Sequence, residues 1–149
     1  MKIGVGNDHA GPVLKAAIAE QLRAAGHEVI DHTPGPPSPD DDYPMLVIPL
    51  ARAVAAGSVE RGVFCCGSGI GPAVAANKIP GVRATVATEE WSARDAVEHV
   101  DVNLLTLGER VIGVELAKAV VDAFVGAEPQ GGRHARRREQ IAELEVERT

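Results

Sequence analysis

The segment Phe64-Cys65-Cys66-Gly67-Ser68-Gly69-Ile70-Gly71 joins a thiol to three alternating glycines. It reads as a strand that ends in cysteine and opens into a turn. Such a turn presents several backbone N–H groups together, a cradle for an anion. A helix N-terminus beside a thiol also favours its thiolate. A thiolate next to such amides suits chemistry that moves a proton while charge builds on an oxygen. The plainer reading of Cys66 is a small buried residue, as most free cysteines are. Cys65 should point to the opposite side of the strand, into packing. Pro72, just past the turn, has no group that could act as a base. Cys66 is therefore the only titratable side chain in the turn.

Four further positions carry groups of interest. Asp8 and His9 follow an apolar run, Tyr43 is the sole tyrosine, and His99 closes a helical pattern. Asp8 has an alternative as a helix cap, and His99 as a satisfied polar residue or a helix-end charge. Trp91, the sole tryptophan, fits packing or an interface better than catalysis. Gly6-Asn7-Asp8-His9-Ala10-Gly11 resembles a dinucleotide turn only weakly. It lacks a third glycine, and Asp8 would repel a pyrophosphate. Near the end, Arg133, His134, Arg136, Arg137 and Arg138 form a basic knot after Gly131-Gly132. Arg133 and Arg137 are four residues apart and share one helix face. They make either a solvated face or a clamp for a dianion.

The elements that must place these groups follow from periodicity and breakers. Strands are expected at 2–5, 27–31, 61–65, 82–87 and 103–107. Helices are expected at 13–25, 44–56, 70–77, 89–98, 113–124 and 133–147. The 89–98 helix has Thr88 as its expected cap. Residues 32–42, with four prolines and three consecutive aspartates, form a loop. Pro49 should kink its helix or start it. Alternation at βαβ spacing implies an α/β fold: a five-stranded parallel sheet in a three-layer αβα, Rossmann-like domain. Ligands of such sheets lie beyond the carboxyl ends of the strands. Asp8, His9, Tyr43 and Cys66 to Gly71 satisfy that rule. His99 does not, since it ends a helix, and a second subunit would have to bring it in. The last helix has few large apolar groups. It is expected to pack on a partner subunit and deliver Arg133 and Arg137 across the interface.

Composition bounds the rest. A chain of 149 residues is one domain, 1–149, with 131–149 as its interface helix. Apolar residues make up 45% and aromatics 3%, so the core is aliphatic. A net charge of -6 argues against general nucleic-acid binding. No run is long and apolar enough to span a membrane, and no signal-like segment opens the chain. Two adjacent cysteines make neither a disulfide framework nor, alone, a zinc site. The cytoplasm is the expected compartment.

Taken together, Gly6-x-Asp8-His9-x-Gly11, Asp42-Tyr43-Pro44, Cys66-Gly67-Ser68-Gly69-x-Gly71, Ala75-Ala76-Asn77-Lys78, Gly108-x-Arg110 and Gly132-Arg133-His134-x-x-Arg137 resemble one family over nearly the whole chain. It is the ribose-5-phosphate isomerase B type, with galactose-6-phosphate isomerase subunits and tetrose-phosphate isomerases. The resemblance implies an aldose–ketose isomerase of a phosphorylated sugar. It also implies no metal or organic cofactor, and a homodimer or dimer of dimers with shared sites. Cys66 would then move a proton between C1 and C2 through an enediolate, with Ser68 positioning the substrate oxygens. The backbone N–H groups of Gly67, Gly69, Ile70 and Gly71 would hold the charged oxygen. His99 from the partner would open the furanose ring, with Asp8 and Tyr43 near the ring oxygens. His9, Arg133 and Arg137 would hold the phosphate, with His134 in the same motif also a substrate contact and Arg110 supporting the partner side. Ribose 5-phosphate is the leading substrate. A tetrose phosphate, or a weakly active subunit of a hetero-oligomeric isomerase, is the alternative. One departure is Val100, where the family usually has Asn. The branch with a glutamate base is excluded by Pro72.

Overall fold

The computed structural model describes residues 1–147, so the last two residues of the expected interface segment lie outside the described residues. Five strands and six helices alternate: β1 Lys2–Asn7, α1 Pro12–Ala24, β2 Glu28–Asp31, α2 Tyr43–Ala55, β3 Arg61–Cys66, α3 Ile70–Ala76, β4 Ala84–Val86, α4 Glu90–Val100, β5 Leu104–Gly108, α5 Val114–Gly126 and α6 Arg133–Glu147. Every strand pairing is parallel, in the order β2-β1-β3-β5-β4. The expected αβα architecture is present.

The two faces of the sheet carry separate aliphatic cores. Leu14, Ile18 and Leu22 of α1 recur at helical spacing and pack with Val97 of α4, with Val120 and Phe124 of α5, and with Ile3, Val5, Val63 and Cys65 of the sheet. On the other face, Val47, Leu50 and Val54 of α2 and Ala76 of α3 pack on Phe64, Cys66 and Leu104. The two cysteines thus fall on opposite faces, as a strand's two-residue alternation requires. The strands at the centre are buried on both sides, which is why β1, β3 and β5 read as continuous apolar runs.

Several boundaries differ from expectation for physical reasons. Pro49 neither starts nor ends α2. It is exposed, and so is Met45, whose carbonyl loses its donor. Water can take that carbonyl, so the helix continues. The cap of α4 is Glu89, not Thr88: its carboxylate accepts from the Ser92 amide at 2.9 Å. β4 is an edge strand of three residues, preceded by Gly81 at φ +83°. α6 rests on α4 of its own chain. Arg138 donates to the carbonyls of Gln130 (2.9 Å) and His99 (3.3 Å), and Glu145 accepts from the Gly81 amide at 3.0 Å.

One buried charge holds the end of α5. Arg61, 8% exposed, donates to the carbonyls of Phe124, Val125 (3.1 Å) and Ala127 (2.6 Å). Its guanidinium also lies 5.3 Å from the Phe124 ring centre. It fills the role of a C-cap from a distant strand. Arg61→Met should leave buried carbonyls unpaired and cost about 3 kcal/mol. Denaturant titration of the two proteins should show the loss in midpoint with an unchanged slope.

Candidate active site

The strand order places a topological switch between β1 and β3. The chain steps outward from β1 to β2, then crosses back to β3 on the other side of β1. Loops leaving β1 and β3 diverge there and open a crevice at the carboxyl ends. A cavity of about 370 Å³ occupies it. Asp8, His9, Tyr43, Cys66, Gly67, Ser68, Gly71 and Arg110 contribute to its wall.

Backbone packing sets the turn that bears the thiol. A Cβ on Gly11 would strike the Cys65 carbonyl, and one on Gly108 would lie 2.7 Å from the Ser68 backbone. Both neighbours must be glycine for the segments to close this tightly. The amides of Glu109 and Arg110 bond the carbonyls of Cys66 (2.8 Å) and Gly67 (3.1 Å). Glu109 in turn accepts from the amides of Val13 (2.9 Å) and Leu14 (3.0 Å), capping α1 from across the sheet. Gly69 adopts φ +85°, which turns the chain into α3.

Cys66 lies 4% exposed at the cavity wall, and its Sγ accepts from the Gly69 amide at 2.9 Å. Burial of Cys65, with Glu109 and the Cys66 thiol nearby, pushes its thiol far up. Ser68 Oγ accepts from the Ile70 amide at 3.2 Å. Two amides of the expected anion cradle, those of Gly69 and Ile70, are therefore bound within the turn. The Ile70 side chain is 63% exposed and does not line the cavity. Asp8 is 6% exposed, and its Oδ1 accepts from the Ala10 amide at 2.8 Å. Its carboxylate is thereby aimed and held at the end of β1. Tyr43 comes from the start of α2 and lies over Gly71.

The second group of expected residues lies elsewhere. His99 is near the end of α4, with Nδ1 2.6 Å from Asp95 Oδ1. Its ring stacks on that of His134, 3.9 Å between centres and 7° from parallel. Arg133 and Arg137, on the first turns of α6, are exposed. None of these residues lines the Cys66 cavity. His134, expected as a substrate contact, is 8% exposed and its ring is committed to the His99 stack. Its pKa is lowered by burial first, then by His99 and three arginines. Arg110, expected as a substrate contact, lines the cavity of its own Cys66. Val100 faces a separate groove shared with Val102, Ile141 and Leu144. Asn7 donates to the Asp8 carbonyl at 2.8 Å and binds the Thr33 hydroxyl, away from the thiol. Sequence reasoning missed Glu109 and Asp95. Only the i, i+4 spacing of Asp95 and His99 offered a signal.

Comparison with known proteins gives a consistent result. A family model described as Ribose/Galactose Isomerase matches residues 3–141. Ribose-5-phosphate isomerase B of Escherichia coli (strain K12) is 46% identical over 99% of this chain and 98% of that one. D-erythrulose-4-phosphate isomerase of Pectobacterium atrosepticum is 37% identical over 97% of each. The solved structure of Clostridium thermocellum ribose-5-phosphate isomerase B aligns with a TM-score of 0.95 at 47% identity, covering 100% of both chains.

Two outcomes follow from this geometry. A Cβ on Gly71 would come within 2.5 Å of the Tyr43 ring. Gly71→Ala should displace that ring and weaken ligand binding in the cavity about 10-fold, with little loss of melting temperature. Calorimetric titration with a sugar phosphate beside a thermal melt would check it. The second concerns pH. The fold disfavours protonated His134, and burial likewise lowers His32 against the pull of Asp31. Their support is complete above the ordinary histidine value of 6.5 and is lost as pH falls from there through the folded values. The melting temperature should drop between pH 7.5 and 5.5. His134→Phe keeps a ring against His99 but cannot titrate, so its slope should be shallower.

Proposed function

Since this chain belongs to the ribose/galactose isomerase family of sugar-phosphate isomerases, we propose that it interconverts ribose 5-phosphate and ribulose 5-phosphate through Cys66. One observation carries the reading: a sulfur at the wall of a cavity, held by an amide N–H at the switch point of a parallel sheet. Cys66 Sγ takes the proton from C2 of the open-chain aldose. The electron pair moves into the C1–C2 bond and charge collects on O1. A proton passes from O2 to O1, Cys66 returns its proton to C1, and O2 becomes the ketone oxygen. The turn's remaining backbone N–H groups, those of Gly67 and Gly71, and the Ser68 hydroxyl stabilise the oxygens. One well-placed donor is worth roughly 3 kcal/mol in such a transition state. His9 and Arg110 supply positive charge at the same cavity, while Asp8 and Tyr43 orient the sugar.

The site is completed by a second copy. The cavity holds the thiol but not His99, Arg133 or Arg137, which cluster on α4 and α6. In a two-fold dimer the α4–α6 cluster of one protomer faces the Cys66 cavity of the other. Exposed apolar residues near both halves support such a contact: Val111 (56%) and Ile70 (63%) by the cavity, Ile141 (47%) and Leu144 (56%) on α6. Arg133 and Arg137 then grip the phosphate, and binding energy at that end holds the reacting carbons against the thiolate. The proposed compartment is the cytoplasm; two free, buried cysteines suit it.

The substrate choice follows the greater likeness to ribose-5-phosphate isomerase B than to the tetrose-phosphate enzyme. Val100 favours the second reading, a four-carbon substrate, because a tetrose phosphate needs no ring opening. Incubation with each ketose phosphate in deuterated water separates them. Label at C2 of ribose 5-phosphate is expected, with a loss of about 1000-fold in Cys66→Ala. Label only in erythrose 4-phosphate would move the substrate to four carbons, and no label from either would overturn the isomerase reading. The shared site has its own test. Cys66→Ala and His99→Gln should each be nearly inactive on ribose 5-phosphate. Refolded together in equal amounts, they should recover about a quarter of the wild-type rate, because half the dimers regain one intact site.

A further inference from the structure

His99 is held on two sides by its own chain. Asp95, one helical turn earlier on α4, places Oδ1 2.6 Å from Nδ1. His134 of α6 covers one ring face at 3.9 Å. The Arg138 guanidinium fixes the backbone beneath by donating to the His99 carbonyl at 3.3 Å. Among the described residues, Nε2 has no hydrogen-bond partner. The Asp95 and His99 side chains are 30% and 36% exposed, so the pair is half shielded and its free edge looks outward. A carboxylate can only accept from an imidazole. It therefore places the proton on Nδ1 and leaves the lone pair on Nε2.

We propose that Asp95 is a positioning residue that sets the tautomer and direction of His99 for opening a furanose ring. This rests on the isomerase reading above and adds a residue that the motifs did not mark. Nε2 takes the proton of the O1 hydroxyl. The C1–O1 double bond forms as the C1–O4 bond breaks, and its electron pair goes to O4, which takes a proton from water. His99 then returns its proton to water. Asp95 stays ionised beside the transient imidazolium and stabilises it. Without Asp95 the ring is free to carry its proton on Nε2, where it cannot accept.

The test separates ring opening from carbon chemistry. Ribulose 5-phosphate is acyclic, because its O5 carries the phosphate, so exchange of its C1 proton with deuterated water needs Cys66 but no ring opening. In the assembled full-length protein, Asp95→Asn should lower turnover of ribose 5-phosphate by at least about 10-fold. Exchange from ribulose 5-phosphate should stay within about 2-fold of wild type, which also shows that the variant is folded and paired. Nitrogen-15 spectra of the His99 ring should show a proton on Nδ1 in wild type and on Nε2 in the variant. Wild-type ribose turnover in Asp95→Asn, an unchanged ring spectrum, or an equal fall in both activities would overturn the role of Asp95. A wild-type protein that exchanges no proton from ribulose 5-phosphate would instead overturn the isomerase reading beneath it.

Discussion

The end of β3 can hold the Cys66 sulfur at a cavity wall because two neighbouring segments approach it with no side chain between. Gly11 lies against the Cys65 carbonyl and Gly108 against the Ser68 backbone, and neither has room for a Cβ. Strand pairing alone would leave the turn after Cys66 free to wander. Clamped from both sides, it delivers the Gly69 amide to Sγ at 2.9 Å. The neighbouring hydrogen bonds from Glu109 and Arg110 extend the same grip and fix Arg110 at the cavity wall.

The chain keeps its charges apart. The thiol, Asp8 and Tyr43 lie at the centre of the sheet, at the switch between β1 and β3. The arginine pair and the paired histidines lie on α4 and α6, away from that cavity. Arg133 and Arg137 are held away from the thiol of the same chain and stay exposed. α6, with few apolar anchors, still has a defined place on α4. The Arg138 bonds and the His99–His134 stack hold it there.

Much of the fold was legible because burial on both faces leaves a plain mark. Continuous apolar runs for β1, β3 and β5, and the 14, 18, 22 stripe of α1, each match the element found. The capping of α4 was not legible, because Thr88 and Glu89 are both plausible acceptors and only the local backbone decides between them. Nor was the persistence of α2 through Pro49, which depends on where solvent lies. Within the site, Cys66, Asp8, His9, Tyr43 and Ser68 were marked by type and position, and all five line one cavity. Arg110 lines that cavity too, while the His134 ring stacks on His99 away from it.

What the amino-acid order determined by itself was local: which stretches form strand or helix, that the sheet is parallel, and which side chains follow a strand's carboxyl end. Those depend on periodicity and on neighbours a few residues apart. The tertiary structure decided what depends on distant contact. Strand order puts the switch between β1 and β3 and so selects one crevice among the possible ones. Glu109 caps a helix some ninety-five residues away in the chain. Asp95 becomes informative only once His134 closes on the far side of His99. Such pairings are settled by which surfaces meet after collapse, and no short window of sequence contains both partners.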